Sequence, residues 1–145
     1  MARKVFETYS LDEVFPELGE SLGEALLRPT RIYVKSILPL LPAGEILGMA
    51  HITGGGLTDN VPRVLPPGLG VRIDTSAWER PPIFTLLQRL GDVAWPEMFR
   101  TFNMGVGFVI IVRPENEGPV RLALGELGEK SFVIGSVIPG EGVSY

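Results

Sequence analysis

The chain has 145 residues, 45% of them apolar and 21% charged, with 17 acids against 13 bases and a formal charge of -4. That balance excludes disorder, and the lack of any Lys/Arg block leaves no row of cations to neutralise nucleic-acid phosphates. No cysteine and a single histidine exclude disulfides, thiolate chemistry and the usual zinc ligand sets, so no metal site is expected.

No apolar run reaches the roughly 18 residues of a membrane span, and the amino end lacks the apolar core of a secretion signal. A cytoplasmic protein without a membrane partner is the expectation. Taken in order, Val5, Phe6 and Tyr9 have helical spacing with no capping residue before them, like a helix entered midway. Ser21, with Glu24 three residues on, predicts a capping box opening a short helix that Pro29 ends. Thr30–Val34 is rich in β-formers and predicts a strand; Lys35–Leu41 predicts a short apolar helix with a Pro-Ala-Gly exit.

Glu45–Thr53 is a nearly continuous apolar strand, the pattern of a sheet covered on both faces. With Thr58 as N-cap, Pro62 falls in the first turn of a short helix over Asp59–Leu65, where its missing N–H costs nothing. Gly70–Ile73 predicts a second strand, and "PPIFTLLQRLG" a helix with proline in its first turn and Gly91 just past its end. "AWPEMFRTF" adds a further short helix. Gly105–Arg113 is the strongest strand signal and is expected mid-sheet. "GPVRLALGELG" predicts a helix and Ser131–Gly140 a closing strand with a glycine bend. This alternation implies one α/β or α+β domain, a mixed β-sheet flanked by helices, with ligands at the strand-end loops.

One stretch stands apart: "HITGGGLTDNVPR", His51–Arg63. Three successive glycines cost on the order of 1.5 to 3 kcal/mol relative to alanine, so something should offset them. One gain is a nest, in which N–H groups without neighbouring Cβ atoms converge on a phosphate or carboxylate oxygen at Gly54, Gly55 and Gly56. Arg63 would add a forked cation. Asp59 opposes an anion unless it caps the helix or meets a substrate amine. The alternative is a Gly-rich strand-to-helix turn kept for packing. The string is neither a Walker loop nor a dinucleotide fingerprint.

His51 suits hydrogen bonding or proton transfer to a ligand, or is a satisfied structural group. Asn103 either makes a left-handed turn or points its amide at a ligand, and Gly105 and Gly107 admit another backbone. Arg28, Arg31 and Arg100 are either separate anion contacts or solvated surface groups. No carboxylate pair forms an acid/base couple, and the catalytic residues stay unassigned.

The order of "LLRPTRIYVK", "HITGGGLTDNVPRVLP", "PPIFTLLQRLG", "EMFRTFNMGVGF" and "VIGSVIPGEG" resembles the carboxyl-terminal domain of the aminoimidazole ribonucleotide synthetase (phosphoribosylformylglycinamidine cyclo-ligase) family across essentially the whole chain. Arg28 stands where that family usually has a small polar or acidic residue. The resemblance implies an AIR synthase carboxyl-terminal fold over residues 21–145. Residues 1–20 would then be the remnant of an interdomain connection, and the amino-terminal ATP-binding domain would be absent.

The resemblance also implies an enzyme of purine biosynthesis that closes an imidazole ring. ATP phosphorylates the formyl oxygen of formylglycinamidine ribonucleotide, the amidine nitrogen attacks that carbon, and phosphate leaves with ADP as co-product. ATP and Mg2+ would be bound mainly by the absent domain, which also makes the homodimer, and this chain alone would hold neither and be inactive. It would form one wall of the cleft against its own amino-terminal domain. Thr53, Gly54, Gly55 and Gly56 would contact substrate or phosphate, with His51, Asn60, Arg63 and Asn103 in support. The competing reading is a stand-alone phosphometabolite-binding or structural domain without catalysis.

Overall fold

The computed structural model describes residues 1–145, and its strands divide between two small sheets. β1 (Ile46–His51) pairs antiparallel with β3 (Phe108–Val112), placing His51 opposite Phe108 and Ala50 opposite Val109. β2 (Leu69–Ile73) lies between β4 (Gly135–Pro139), antiparallel, and β5 (Val143–Ser144), parallel. The helices are α1 (Ala2–Val5), α2 (Leu22–Leu27), α3 (Val34–Ile37), α4 (Gly56–Asn60), α5 (Pro82–Gly91), α6 (Trp95–Thr101) and α7 (Glu117–Glu126). The class is α+β, as the alternating pattern implies, but the single sheet is not formed.

Local signals hold where they act within one turn. Ser21 Oγ accepts from the Glu24 N–H at 3.2 Å while the Ser21 N–H donates to Glu24 Oε2 at 2.9 Å. That reciprocal cap starts α2 and turns Leu22 fully inward. α5 carries proline at its start, and Asp92, at φ 46°, ends it in the left-handed region. Gly91 is its last residue rather than the one beyond. A Cβ there would lie 2.7 Å from Val5 Cγ2, so the glycine lets α1 dock on α5. Through Phe6, which is buried in the main core, residues 1–20 are packed onto the rest of the domain.

Other expectations are corrected. Thr30–Val34 forms no strand: it pairs with no ladder, Ile32 stays 78% exposed, and Arg31 and Tyr33 are held by side-chain contacts instead. Lys35–Leu41 is divided between α3 and a 3-10 turn over Leu38–Ala43, since Pro39 and Pro42 remove helical donors. The helix expected over Asp59–Leu65 starts earlier, with Gly55 at the N-cap instead of Thr58. It yields at Pro62 to a 3-10 turn over Pro62–Val64. The closing strand shortens to β4; Ser131–Ile134 leads into it, and of these Ile134 still accepts from the Asp74 N–H at 2.8 Å.

β3 is not mid-sheet. It has one partner, because β4 pairs with β2, and its apolar run is covered on one side by α3 and α7. Nor is β1 covered on both faces: Leu47 is 58% exposed. The main core gathers Leu22, Leu57, Leu86, Met98 and Met104, and a second cluster of Ile37, Val120 and Leu124 packs against Phe108, Ile110 and Val112 of β3. Between them they fix the end of β1, from which the glycine loop springs.

Candidate functional site

The loop leaves β1 at His51, where the Ile52 N–H donates to Gly107 O at 2.9 Å, and turns on a bond from the Gly56 N–H to Thr53 O at 3.0 Å. Its three glycines have three different physical reasons. Gly56 is buried at φ 55°, and a Cβ on it would sit 2.0 Å from Phe99 O and 2.6 Å from Phe102 O. Only glycine fits against those carbonyls at the end of α6. Gly55 is at φ 100°, where a Cβ would also lie 2.8 Å from Asp59 Cβ. Gly54 is exposed, lies outside the left-handed region, and has open space where a Cβ would stand.

The N–H groups of Gly54 and Gly55 meet no acceptor in the chain, whereas that of Gly56 is engaged inside the turn. The cradle is therefore two amides wide. Below it, the buried Asn60 side chain fastens the loop: Nδ2 donates to Gly56 O at 2.8 Å and Gly54 O at 3.2 Å, and stands 3.4 Å from Thr53 O. Asn60 Oδ1 accepts from Arg63 Nη1 at 3.3 Å, and Arg63 has no carboxylate partner. Asn60 thus shapes the loop and ties Arg63 to its carbonyl side. Asp59, exposed, donates its N–H to Gly55 O and brings a carboxylate next to the same glycine. The site offers amide donors and a guanidinium on one hand and a carboxylate acceptor on the other.

A residue that sequence reasoning missed completes the surroundings. Tyr145 lays its ring 4.7 Å from that of Phe99, and its hydroxyl is 2.7 Å from Thr58 Oγ1 on α4. Burial pushes its phenol above the ordinary tyrosine value. No spacing signal links residues 87 positions apart; the contact exists because β5 runs beside β2.

The other expected residues lie apart from the amides. His51 is exposed at the end of the β1–β3 sheet on the face that carries Phe108, stacked on Phe108 with ring centroids 6.1 Å apart and edge-on to Tyr33 at 6.1 Å. Burial, with Glu129 nearby, pushes the Tyr33 phenol up. Asn103 Oδ1 accepts from the Gly105 N–H at 3.0 Å, closing the turn before β3. In that turn Met104 is fully buried at φ 53°, and its carbonyl accepts from Trp78 Nε1 at 2.9 Å. Arg28 pairs with Glu20 and Arg31 with Glu129, while Arg100 has no carboxylate partner. No group of three or more His, Cys, Asp or Glu side chains converges, and no helix is long and apolar enough to cross a membrane.

Comparison with known proteins gives this geometry a lineage. Residues 1–145 match the family described as AIR synthase related protein, C-terminal domain. The phosphoribosylformylglycinamidine cyclo-ligase of Desulfitobacterium hafniense is 59% identical over 146 residues, covering 100% of this chain and 43% of that protein. The proteins of that name from Geobacillus sp. (52% identical, 99% of this chain, 42% of the relative) and Pseudothermotoga lettingae (51%, 90% and 39%) are similar in the same way. The chain spans about two-fifths of the length of the curated relatives it matches. The chain belongs to the AIR synthase related protein family and corresponds to its carboxyl-terminal domain.

Proposed function

We propose that this chain is the carboxyl-terminal part of an ATP-dependent cyclo-ligase that converts formylglycinamidine ribonucleotide to aminoimidazole ribonucleotide, and that it forms one wall of the active-site cleft. The observation that carries the site is Gly54. Packing demands glycine at Gly56 and backbone conformation demands it at Gly55, but neither demands it at Gly54. A missing side chain beside two unpartnered amides suits the close approach of a phosphate oxygen.

In this reading the Gly54 and Gly55 amides donate to a phosphate oxygen of the substrate, and Arg63 adds a full positive charge beside it. The Asp59 carboxylate accepts from the amidine, whose N–H groups complement it. Thr53 flanks the amides. Asn60 holds the loop in shape from beneath, and Asn103 and His51 support the neighbouring strand ends. The reading assigns ATP and its Mg2+, with the homodimer contact, to the rest of a cytoplasmic enzyme.

The test is Gly54→Ala in the assembled enzyme. Substrate KM should rise at least about tenfold through displacement of the phosphate, with thermal stability unchanged. An unchanged KM overturns the site. Calorimetry of this chain with formylglycinamidine ribonucleotide separates the alternative: tight binding without the rest of the enzyme marks a stand-alone binding domain.

A further inference from the structure

Two strands of this domain face each other with open edges. Because the Ile52 N–H donates to Gly107 O, the antiparallel alternation turns the backbone groups of Val109 and Ile111 toward β1 and those of Phe108 and Ile110 away from it. On the other sheet the Asp74 N–H donates to Ile134 O, so Ser136 and Ile138 face β2, and Gly135, Val137 and, by continuation, Val133 face outward. β3 and β4 are each the edge of their sheet. Between them lie two mainly apolar cavities of about 410 Å³ and 330 Å³, the first lined by Ile110, Val133, Gly135 and Val137, with Glu117 and Arg121 also on its wall, and the second by Phe108, Ile110 and Ile134, with Glu129 and Lys130.

An apolar slot bordered by backbone donors and acceptors at strand repeat selects its occupant by chemistry. A lipid or an apolar metabolite would cover the side chains but leave those N–H and C=O groups without partners, at a cost for each one removed from water. An extended peptide meets both demands, since its backbone answers both edges and its alternate side chains enter the apolar walls. The relatives carry more than half of their length outside the region this chain matches. We infer that an extended segment from that remaining part of the enzyme inserts between β3 and β4 and joins the two sheets into one. The inference rests on reading this chain as one part of the cyclo-ligase, but its readout is amide protection and not ring closure.

The experiment is amide hydrogen exchange by NMR on this chain, alone and with overlapping synthetic peptides that span the unmatched part of the Desulfitobacterium relative. One peptide should slow exchange at Phe108, Ile110, Val133 and Gly135 by at least about tenfold, while the fast exchange of these amides in the free chain shows the edges open. Val133→Pro, which deletes an outward donor, should abolish that protection. Val133→Ala, which keeps the donor and trims only the side chain, should weaken it by less than about threefold. Equal loss in both variants makes the contact a side-chain one and overturns strand insertion. So does protection already present without peptide, whether the edges close on each other or, with a concentration-dependent mass, on a second copy. Protection by no peptide overturns it as well. None of these results bears on Gly54, so a failure here is distinct from a failure of the phosphate site.

Discussion

Asn60 Nδ2 lies 2.8 Å from Gly56 O, and the same nitrogen reaches Gly54 O, so one buried amide sets the curvature of the glycine loop. Removing it as Asn60→Ala should cost about 2 kcal/mol, through carbonyls left without their donor. Asn60→Asp should cost more at neutral pH, because it turns a carboxylate toward carbonyl oxygens. Acidification should narrow the difference as the protonated carboxyl regains a donor. Urea unfolding of both variants at two pH values checks this; equal stability at neutral pH would show that the side chain is not donating.

The three glycines should separate by stability alone. Gly56→Ala drives a Cβ into two backbone oxygens that cannot swing aside, so it should lose more than about 3 kcal/mol or fail to fold. Gly55→Ala should cost about 1 to 2 kcal/mol for its left-handed backbone. Gly54→Ala should stay within about 0.5 kcal/mol of the parent. Thermal melts of the three proteins give the order directly, and a destabilised Gly54→Ala would remove the reason for assigning that position to a ligand.

This ranking marks where the sequence was legible and where it was not. The Ser21 cap and the proline at the start of α5 are properties of four consecutive residues, and both can be read without the fold. The triple glycine is also legible as an anomaly. Its division into packing, conformational and open positions is not, because that depends on Phe99 and Phe102 carbonyls about 45 residues away. The apolar run of β3 predicts burial, and its five residues are half-buried. Whether helices or strands supply the cover is a tertiary matter, and here α3 and α7 supply it on one side. Thr30–Val34 has the residues of a strand and lacks a ladder, which composition cannot reveal.

Trp78 should act through the carbonyl it holds. Its Nε1 donates to Met104 O, and Met104 is kept at φ 53° inside the core. Trp78→Phe keeps most of the ring contact and loses the bond, for a cost of about 1 to 2 kcal/mol. Met104→Ala opens a cavity for about 2 to 5 kcal/mol. The sites share one turn, so a double-mutant cycle by denaturant unfolding should give non-additive losses. Strict additivity would separate the bond from the turn.

Tyr145 should make stability fall on the alkaline side. Burial raises its phenol above the ordinary 10.0, with Asp59 adding to the shift and the Thr58 hydroxyl and Arg100 opposing it. The folded state thus holds the proton more tightly than the unfolded chain does. The contribution is full below the unfolded value and is lost as the pH rises through the folded one. Tyr33 is raised in the same direction, by burial first and then by Glu129. Tyr145→Phe, which keeps the stacking on Phe99, should therefore flatten the decline without abolishing it. Unfolding free energies measured from about pH 8 to about pH 11 check this; parallel curves for parent and variant would mean that Tyr145 titrates alike in both states and that folding does not take its phenol out of water.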